Sequence, residues 1–171
     1  MQTDKSSREN IYTTINYAMF PESIAVIGAS PNPVKVGTWI LRNIYLLGFK
    51  GELYPVNPRF EGKICGLQTY RSVVDVPGEV DLAVVVVPNS RVLEVLNECA
   101  RKGVKVVILV SAGFAEFSEE GRMLQNRIKS FADEHNIRLI GPNCLGVVNP
   151  GLHLNTTTMP MMPTAGSVGF I

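Results

Sequence analysis

The stretch Asp81-Leu-Ala-Val-Val-Val-Val87 narrows what this chain can fold into more than any other. It is a strand-length run of aliphatic residues, apolar at successive rather than alternate positions, and Pro88 stops it. A strand that is apolar on both sides must be buried on both sides, as in the interior of a parallel sheet covered by helices. Four more segments have similar length and character: Ser23-Ile-Ala-Val-Ile-Gly28, Glu52-Leu-Tyr-Pro-Val56, Lys105 to Val110, and Ile137 to Ile140. Between them apolar residues recur at helical spacing. Ile40, Leu41, Ile44 and Leu47 predict one helix, with Gly48 as its stop. Val92, Leu93, Val95, Leu96 and Ala100 predict another after a cap at Asn89 or Ser90, and Met123, Leu124, Ile128 and Phe131 a third after Ser118-Glu-Glu-Gly.

Strand and helix in alternation, joined by short links, predict an α/β fold: a doubly wound parallel sheet of the Rossmann type. The stretch Arg59 to Pro77 interrupts the rhythm and reads as irregular, with a short helix or turn near Tyr70–Val74. We expect three parts: an N-terminal segment over 1–20 with a short helix at Ile11 to Met19, the nucleotide-binding domain over 21–147, and a linker over 148–171. The last residues, Gly166-Ser-Val-Gly-Phe-Ile171, read as the first strand of a second domain that belongs to a longer parent polypeptide.

Composition supports a packed core, with 46% apolar and 18% charged residues among 171. The 16 basic and 15 acidic side chains are interspersed, so no basic face exists for nucleic acid or a membrane surface. Any anion must then be held by a few placed groups. Cys65, Cys99 and Cys144 fit neither a disulfide framework nor a metal motif. With no signal-like N-terminus and no membrane-length apolar run, the expected setting is cytoplasmic.

In a sheet of this kind ligands sit beyond the carboxyl ends of the strands. Those tips read Gly28-Ala-Ser30, Val56-Asn-Pro58, Val87-Pro88, Ser111-Ala-Gly113-Phe114 and Gly141-Pro-Asn-Cys-Leu-Gly146. Gly, Ser and Asn at most of the tips bring backbone N–H groups close to a bound phosphate. The nicotinamide-dinucleotide fingerprint is incomplete, because Ser30 replaces its second glycine and the next glycine is Gly37. The second strand ends in Asn57-Pro58-Arg59, without the carboxylate that would bind a free ribose hydroxyl. Lys35 and Arg59 would instead attract a phosphorylated ribose, as in coenzyme A or NADP.

Ser23-Ile-Ala-Val-Ile-Gly-Ala-Ser30, Tyr54-Pro-Val-Asn-Pro58, Glu79-Val-Asp-Leu-Ala-Val84, Ser111-Ala-Gly-Phe114 and Gly141-Pro-Asn-Cys-Leu-Gly146 together resemble the CoA-binding domain of ADP-forming acetyl-CoA synthetases, relatives of the succinyl-CoA synthetase α subunit. The resemblance spans about residues 18–171. It implies that Gly28, Ala29, Ser30, Lys35, Val36 and Gly37 hold the CoA phosphates. Val56, Asn57 and Pro58 would line the adenosine side, beside the Arg59 already singled out by its charge, and Val87 and Pro88 the adenine or pantetheine arm. Ser111, Ala112 and Gly113 would guide the arm toward the reactive thiol, and Pro142, Asn143 and Cys144 would lie near where thiol, acyl group and phosphate meet.

The implied reaction is acyl-CoA + ADP + phosphate giving acid + CoA + ATP through a phosphohistidine beyond residue 171. ADP or ATP and Mg would be handled by an ATP-grasp domain or β subunit, within an oligomeric enzyme. His135 and His153 do not match the family's catalytic motif, so no catalytic residue is expected in this chain. Cys144 lacks a neighbouring base in sequence and reads as a small buried thiol; Glu116, just after the Ser-Ala-Gly-Phe tip, is a polar candidate for contact near the thiol end, with a helix-start acid as the favoured alternative. Two rival readings remain open: an NAD(P)-binding regulatory or oxidoreductase domain, and the CoA-binding part of a protein acyltransferase.

Overall fold

The computed structural model describes residues 13–167 and 169. Helix α1 is seen over 13–19, the described part of the expected Ile11–Met19 helix. The predicted loose segment 1–10 lies outside the described residues. So do residues 168, 170 and 171 of the expected terminal strand, and Gly166, Ser167 and Gly169 are not in strand conformation.

The five aliphatic runs form five strands: β1 (Ser23–Ile27), β2 (Glu52–Val56), β5 (Leu82–Val85), β6 (Val106–Leu109) and β7 (Arg138–Ile140). All pair in parallel, in the order β2-β1-β5-β6-β7. Tyr70 adds a single parallel bridge to Val56 on the free side of β2. Its N–H donates to Pro55 O at 3.0 Å, and Asn57 N–H donates to Tyr70 O at 2.8 Å. Counted as a vestigial strand in chain order, Tyr70 gives the sheet the spatial sequence 3-2-1-4-5-6, the Rossmann arrangement. Pro55 is tolerated because β2 is nearly an edge.

Helices α2 (Val36–Leu46), α3 (Val92–Lys102) and α4 (Glu119–Glu134) cover the sheet. Alternate strand residues point to opposite faces. Ala25, Ile27, Ala83, Val85, Val107 and Leu109 meet Val92, Leu96 and Cys99 of α3 and Ile128 and Ala132 of α4. Ile24, Val26, Leu82, Val84, Val106 and Ile108 meet Ala18 of α1 and Ile40, Leu41 and Ile44 of α2. The sheet is therefore apolar on both faces, as the uninterrupted aliphatic runs require. At its amino edge, Asp81 accepts N–H bonds from Glu22 (2.8 Å) and Ser23 (3.3 Å), and Ser23 Oγ accepts the N–H of Asp81 (3.0 Å). This reciprocal clamp fixes where β1 and β5 begin.

The irregular stretch after β2 contains a small hairpin, β3 (Lys63–Ile64) with β4 (Leu67–Gln68), then a 3-10 turn at Val73–Asp75 capped by Ser72. Packing also continues past Val147, where the composition changes. Strands β8 (Val148–Asn149) and β9 (Leu154–Asn155) pair antiparallel. Leu154 is fully buried in the cluster beneath α2, and Asn155, Thr156 and Thr157 are buried with it. Asn43 of α2 donates to Thr157 O (2.7 Å) and Met159 O (2.9 Å), and Asn149 donates to Met19 O (2.7 Å). Residues 148–159 thus strap the α2 face and are not a free linker.

Candidate functional site: the carboxyl edge of the sheet

The five tips are laced to one another by hydrogen bonds. Gly28 N–H donates to Val56 O at 2.9 Å, and the Asn57 amide donates to Ala29 O at 2.6 Å, joining the tips of β2 and β1. Gly28 has φ +101°, and a Cβ there would lie 2.1 Å from Val86 O, so only glycine lets the first tip lie against the third. Ser111 Oγ accepts from Val87 N–H (3.2 Å) and donates to Val87 O (2.6 Å). Asn143 N–H donates to Ser111 O at 3.0 Å, which brings in the last tip.

Beyond β1 the loop folds on itself before α2 starts. Thr38 Oγ1 lies 2.6 Å from Ser30 O and 2.9 Å from Asn32 O, and Ser30 Oγ accepts the N–H of Asn32. Gly37 packs directly on Gly28, since a Cβ there would be 2.4 Å from Gly28 O. The start of α2 is bare. Its N-cap residue Lys35 makes no side-chain cap and the first turn holds no acid. By contrast α4 is capped by Ser118 with Glu119 and Glu120 in its first turn, and α3 carries Glu94 there. Among the described residues, the N–H groups of Ala29, Ser30, Val36 and Gly37 have no acceptor. Free N–H groups at a helix start, with the positive end of the helix dipole, are a ready anion site.

Charge adds to this at the rim. Lys35 and Arg59 are exposed, and among the described residues neither joins an ion pair. Asn57 Oδ1 accepts the N–H of Arg59 at 2.8 Å, which fixes the turn that presents that cation.

Several side chains named from sequence face inward. Val56 is 1% exposed and belongs to the core, so only its backbone serves the edge. Ser111 spends its hydroxyl on the neighbouring β5 tip, and Asn57 spends its Nδ2 on the β1 tip and its Oδ1 on Arg59 of its own turn. Cys144 directs its thiol to Leu109 O and Ile140 O, both at 3.5 Å, and burial raises its pKa above the usual thiol value. That thiol anchors the Gly141–Gly146 loop and is unsuited to nucleophilic work. Pro58, Pro88, Ala112 and Asn143 are exposed at the edge, and Val87 is half-buried.

His135 ends α4 at the opposite edge of the sheet, with Nδ1 2.9 Å from Phe131 O and its ring stacked on Phe131. His153 caps a 3-10 turn within the β8–β9 strap. Neither faces the strand tips. Asn89, expected only as a helix cap, and Glu116, weighed between a contact near the thiol end and a helix-start acid, both bond Gly113.

Residues 22–150 match the family model described as CoA binding domain. The chain belongs to this CoA-binding domain family. The ADP-forming acetate–CoA ligase of Methanocaldococcus jannaschii is 45% identical over 157 residues, covering 92% of this chain and 22% of the relative. The α subunit of ADP-forming acetate–CoA ligase II of Pyrococcus furiosus is 42% identical, covering 92% of this chain and 34% of that subunit. Among solved structures, the dinucleotide forming acetyl-coenzyme A synthetase 1 of Ca. Korarchaeum cryptofilum, in complex with phosphate and ADP, superposes with a TM-score of 0.80 at 38% identity, covering 84% of this chain and 30% of that one. The chain thus spans about a fifth to a third of the relatives it matches. No helix among the described residues is long and apolar enough to cross a membrane, and no cluster of three metal-ligating side chains occurs among them.

Proposed function

We propose that this chain binds coenzyme A at the carboxyl edge of its sheet and serves as the CoA-binding portion of an ADP-forming acyl-CoA synthetase. The observation that carries the reading is the bare start of α2, where unpaired N–H groups of Ala29, Ser30, Val36 and Gly37 stand beside Lys35. A diphosphate lying there meets backbone donors and a cation without displacing any side chain. The ribose would then lie toward the β2 tip, where Arg59 and the absence of a carboxylate suit a 3′-phosphate. From the switch point between β1 and β5, the pantetheine arm would run past Val87, Pro88 and Ser111–Gly113 toward the Gly141–Gly146 loop. Coenzyme A supplies the reactive thiol. This chain's residues bind and orient the carrier.

The relatives extend the proposal to the whole enzyme. There, acyl-CoA, ADP and phosphate would yield acid, CoA and ATP through a phosphohistidine carried outside these residues, on a further succinyl-CoA-synthetase-like domain. An ATP-grasp domain or β subunit would hold ADP or ATP and Mg. The placement of His135 and His153 away from the tips supports that division of labour.

Calorimetric titration tests the assignment. CoA is expected to bind, dephospho-CoA about fivefold more weakly, because one phosphate loses an exposed cation (about 1 kcal/mol), and NADP or NAD least. A nicotinamide nucleotide that binds more tightly than CoA would overturn it. Equal affinity for CoA and dephospho-CoA would remove the role of Arg59.

A further inference from the structure

The first and second tips are stabilised by glycine packing and by Asn57, whereas the β6 tip is gripped by two surface side chains. Gly113 has φ +95°, a conformation that needs glycine, and its peptide groups are held on both sides. Its N–H donates to Glu116 Oε1 at 2.7 Å, and its C=O accepts from Asn89 Nδ2 at 2.6 Å. A Cβ on Gly113 would lie 2.8 Å from Asn89 Nδ2, so the amide fills the space a side chain would occupy.

Asn89 stands on the 3-10 turn that follows β5 (Asn89–Arg91), and Glu116 on the connection from β6 to α4. The clamp therefore couples the third and fourth tips, those of the adjacent strands β5 and β6. The backbone N–H of Gly113, and then those of Glu116 and Phe114, hold the Glu116 carboxyl below the usual carboxylate range. Its charge is thus spent on the turn instead of facing an anionic ligand.

The rest of this connection does not depend on the clamp. Phe114 is fully buried in the core, and α4 starts on it, with Gly121 so close that a Cβ would lie 2.1 Å from Phe114 O. Glu116 is exposed and Asn89 half-exposed, so their removal takes little from the core. Two polar side chains that meet on one peptide at the ligand edge, while the core is secured by the next residue, set the position of that peptide rather than the stability of the domain.

We infer that Asn89 and Glu116 are positioning residues for the pantetheine arm of CoA: together they fix the Gly113 turn past which that arm runs. The inference rests on the CoA reading above. It goes further by dividing the site into two halves. The diphosphate and adenosine half depends on α2 and β2, and the arm half depends on the Asn89–Gly113–Glu116 clamp.

Calorimetry on the 171-residue chain separates these halves. The proteins are wild type, Asn89→Ala, Glu116→Ala, Glu116→Gln and the Asn89→Ala/Glu116→Ala double variant; the ligands are CoA and adenosine 3′,5′-bisphosphate. Each alanine variant is expected to weaken CoA about five- to tenfold, the scale of one charged or bridging hydrogen bond. Binding of adenosine 3′,5′-bisphosphate, which lacks the arm, should change less than about twofold, within the usual scatter for an uninvolved surface site. Glu116→Gln, whose amide oxygen can still accept the Gly113 N–H, should recover most of the loss. The double variant should lose less than the product of the single losses, because both act through one peptide.

Three results would overturn the inference while leaving CoA binding intact. One is unchanged CoA affinity in all variants. Another is parallel weakening of both ligands with a lowered melting temperature, the mark of a merely structural role. The third is tighter CoA binding on loss of Glu116, which would make the carboxylate a repulsive element. A wild-type chain with no affinity for CoA would instead overturn the functional reading, and this inference with it.

Discussion

Replacing Gly28 by alanine is expected to destabilise the domain by about 3 kcal/mol or more and to abolish CoA binding. Two costs act together. The residue sits at φ +101°, where an L side chain is strained. Its Cβ would also fall 2.1 Å from the carbonyl oxygen of Val86, which is backbone just past the end of β5. Relief requires β1 and β5 to separate at their tips. That breaks the Val86 N–H to Ile27 O bond (2.8 Å) and lifts Gly37 away from Gly28. Urea denaturation reads the first effect as a lower midpoint with an unchanged slope, and calorimetry reads the second. A variant with the wild-type midpoint and CoA affinity would show that the tips are not in this contact.

Ending the chain at Val147 is expected to cost at least about 3 kcal/mol, with a melting temperature about 6–12 °C lower than that of the 171-residue chain. The change after Val147 to Asn, Pro, Thr and Met suggests a linker, but Leu154 fills the cluster formed by Ile24, Ile40, Leu41 and Ile44. Its loss alone matches a large-to-small core substitution, roughly 2–5 kcal/mol. Asn43 would also lose both of its acceptors, and Val147 N–H would lose Thr156 Oγ1 (2.8 Å). A chain ending at Met161 keeps these contacts and should melt with the 171-residue protein. Coincident melting of all three would contradict the strap.

The sheet was legible because burial on both faces leaves a mark that does not depend on long-range partners. Val84 and Val85 point to opposite clusters, and both must be apolar. Helix α4 was legible from Ser118, which caps it through Gly121 N–H as the Ser-Glu-Glu-Gly pattern implies. The β3–β4 hairpin was not. Its strands are two residues each, too short for periodicity, and its turn puts Cys65 at φ 53°, a conformation cysteine does not advertise. Leu154 was hidden for a similar reason, since two leucines, Leu152 and Leu154, among Asn, Pro, Gly, His and Thr are too few to show a period.

At the site, sequence located the five tips but not the duties of their side chains. Asn57 bonds Ala29, 28 positions away, and Ser111 bonds Val87 across 24. Nothing local in the sequence distinguishes such cross-tip ties from ligand contacts. Glu116 reads as an ordinary helix-start acid because its partner, Gly113, becomes a donor only through the turn's geometry. A glycine after a strand, with an acid three residues on and an asparagine beyond the neighbouring strand, was the available signal.

The proposed binding of CoA depends on its phosphates meeting the bare start of α2. Amide chemical shifts of the 15N-labelled chain, followed as CoA is added, report that contact residue by residue. The expected result is that Ala29, Ser30, Val36 and Gly37 move most, while Gly121 and Arg122 at the capped start of α4 stay still. The contrary result, with those four amides unmoved at saturating CoA and the changes centred elsewhere, would contradict the assignment of the phosphate site.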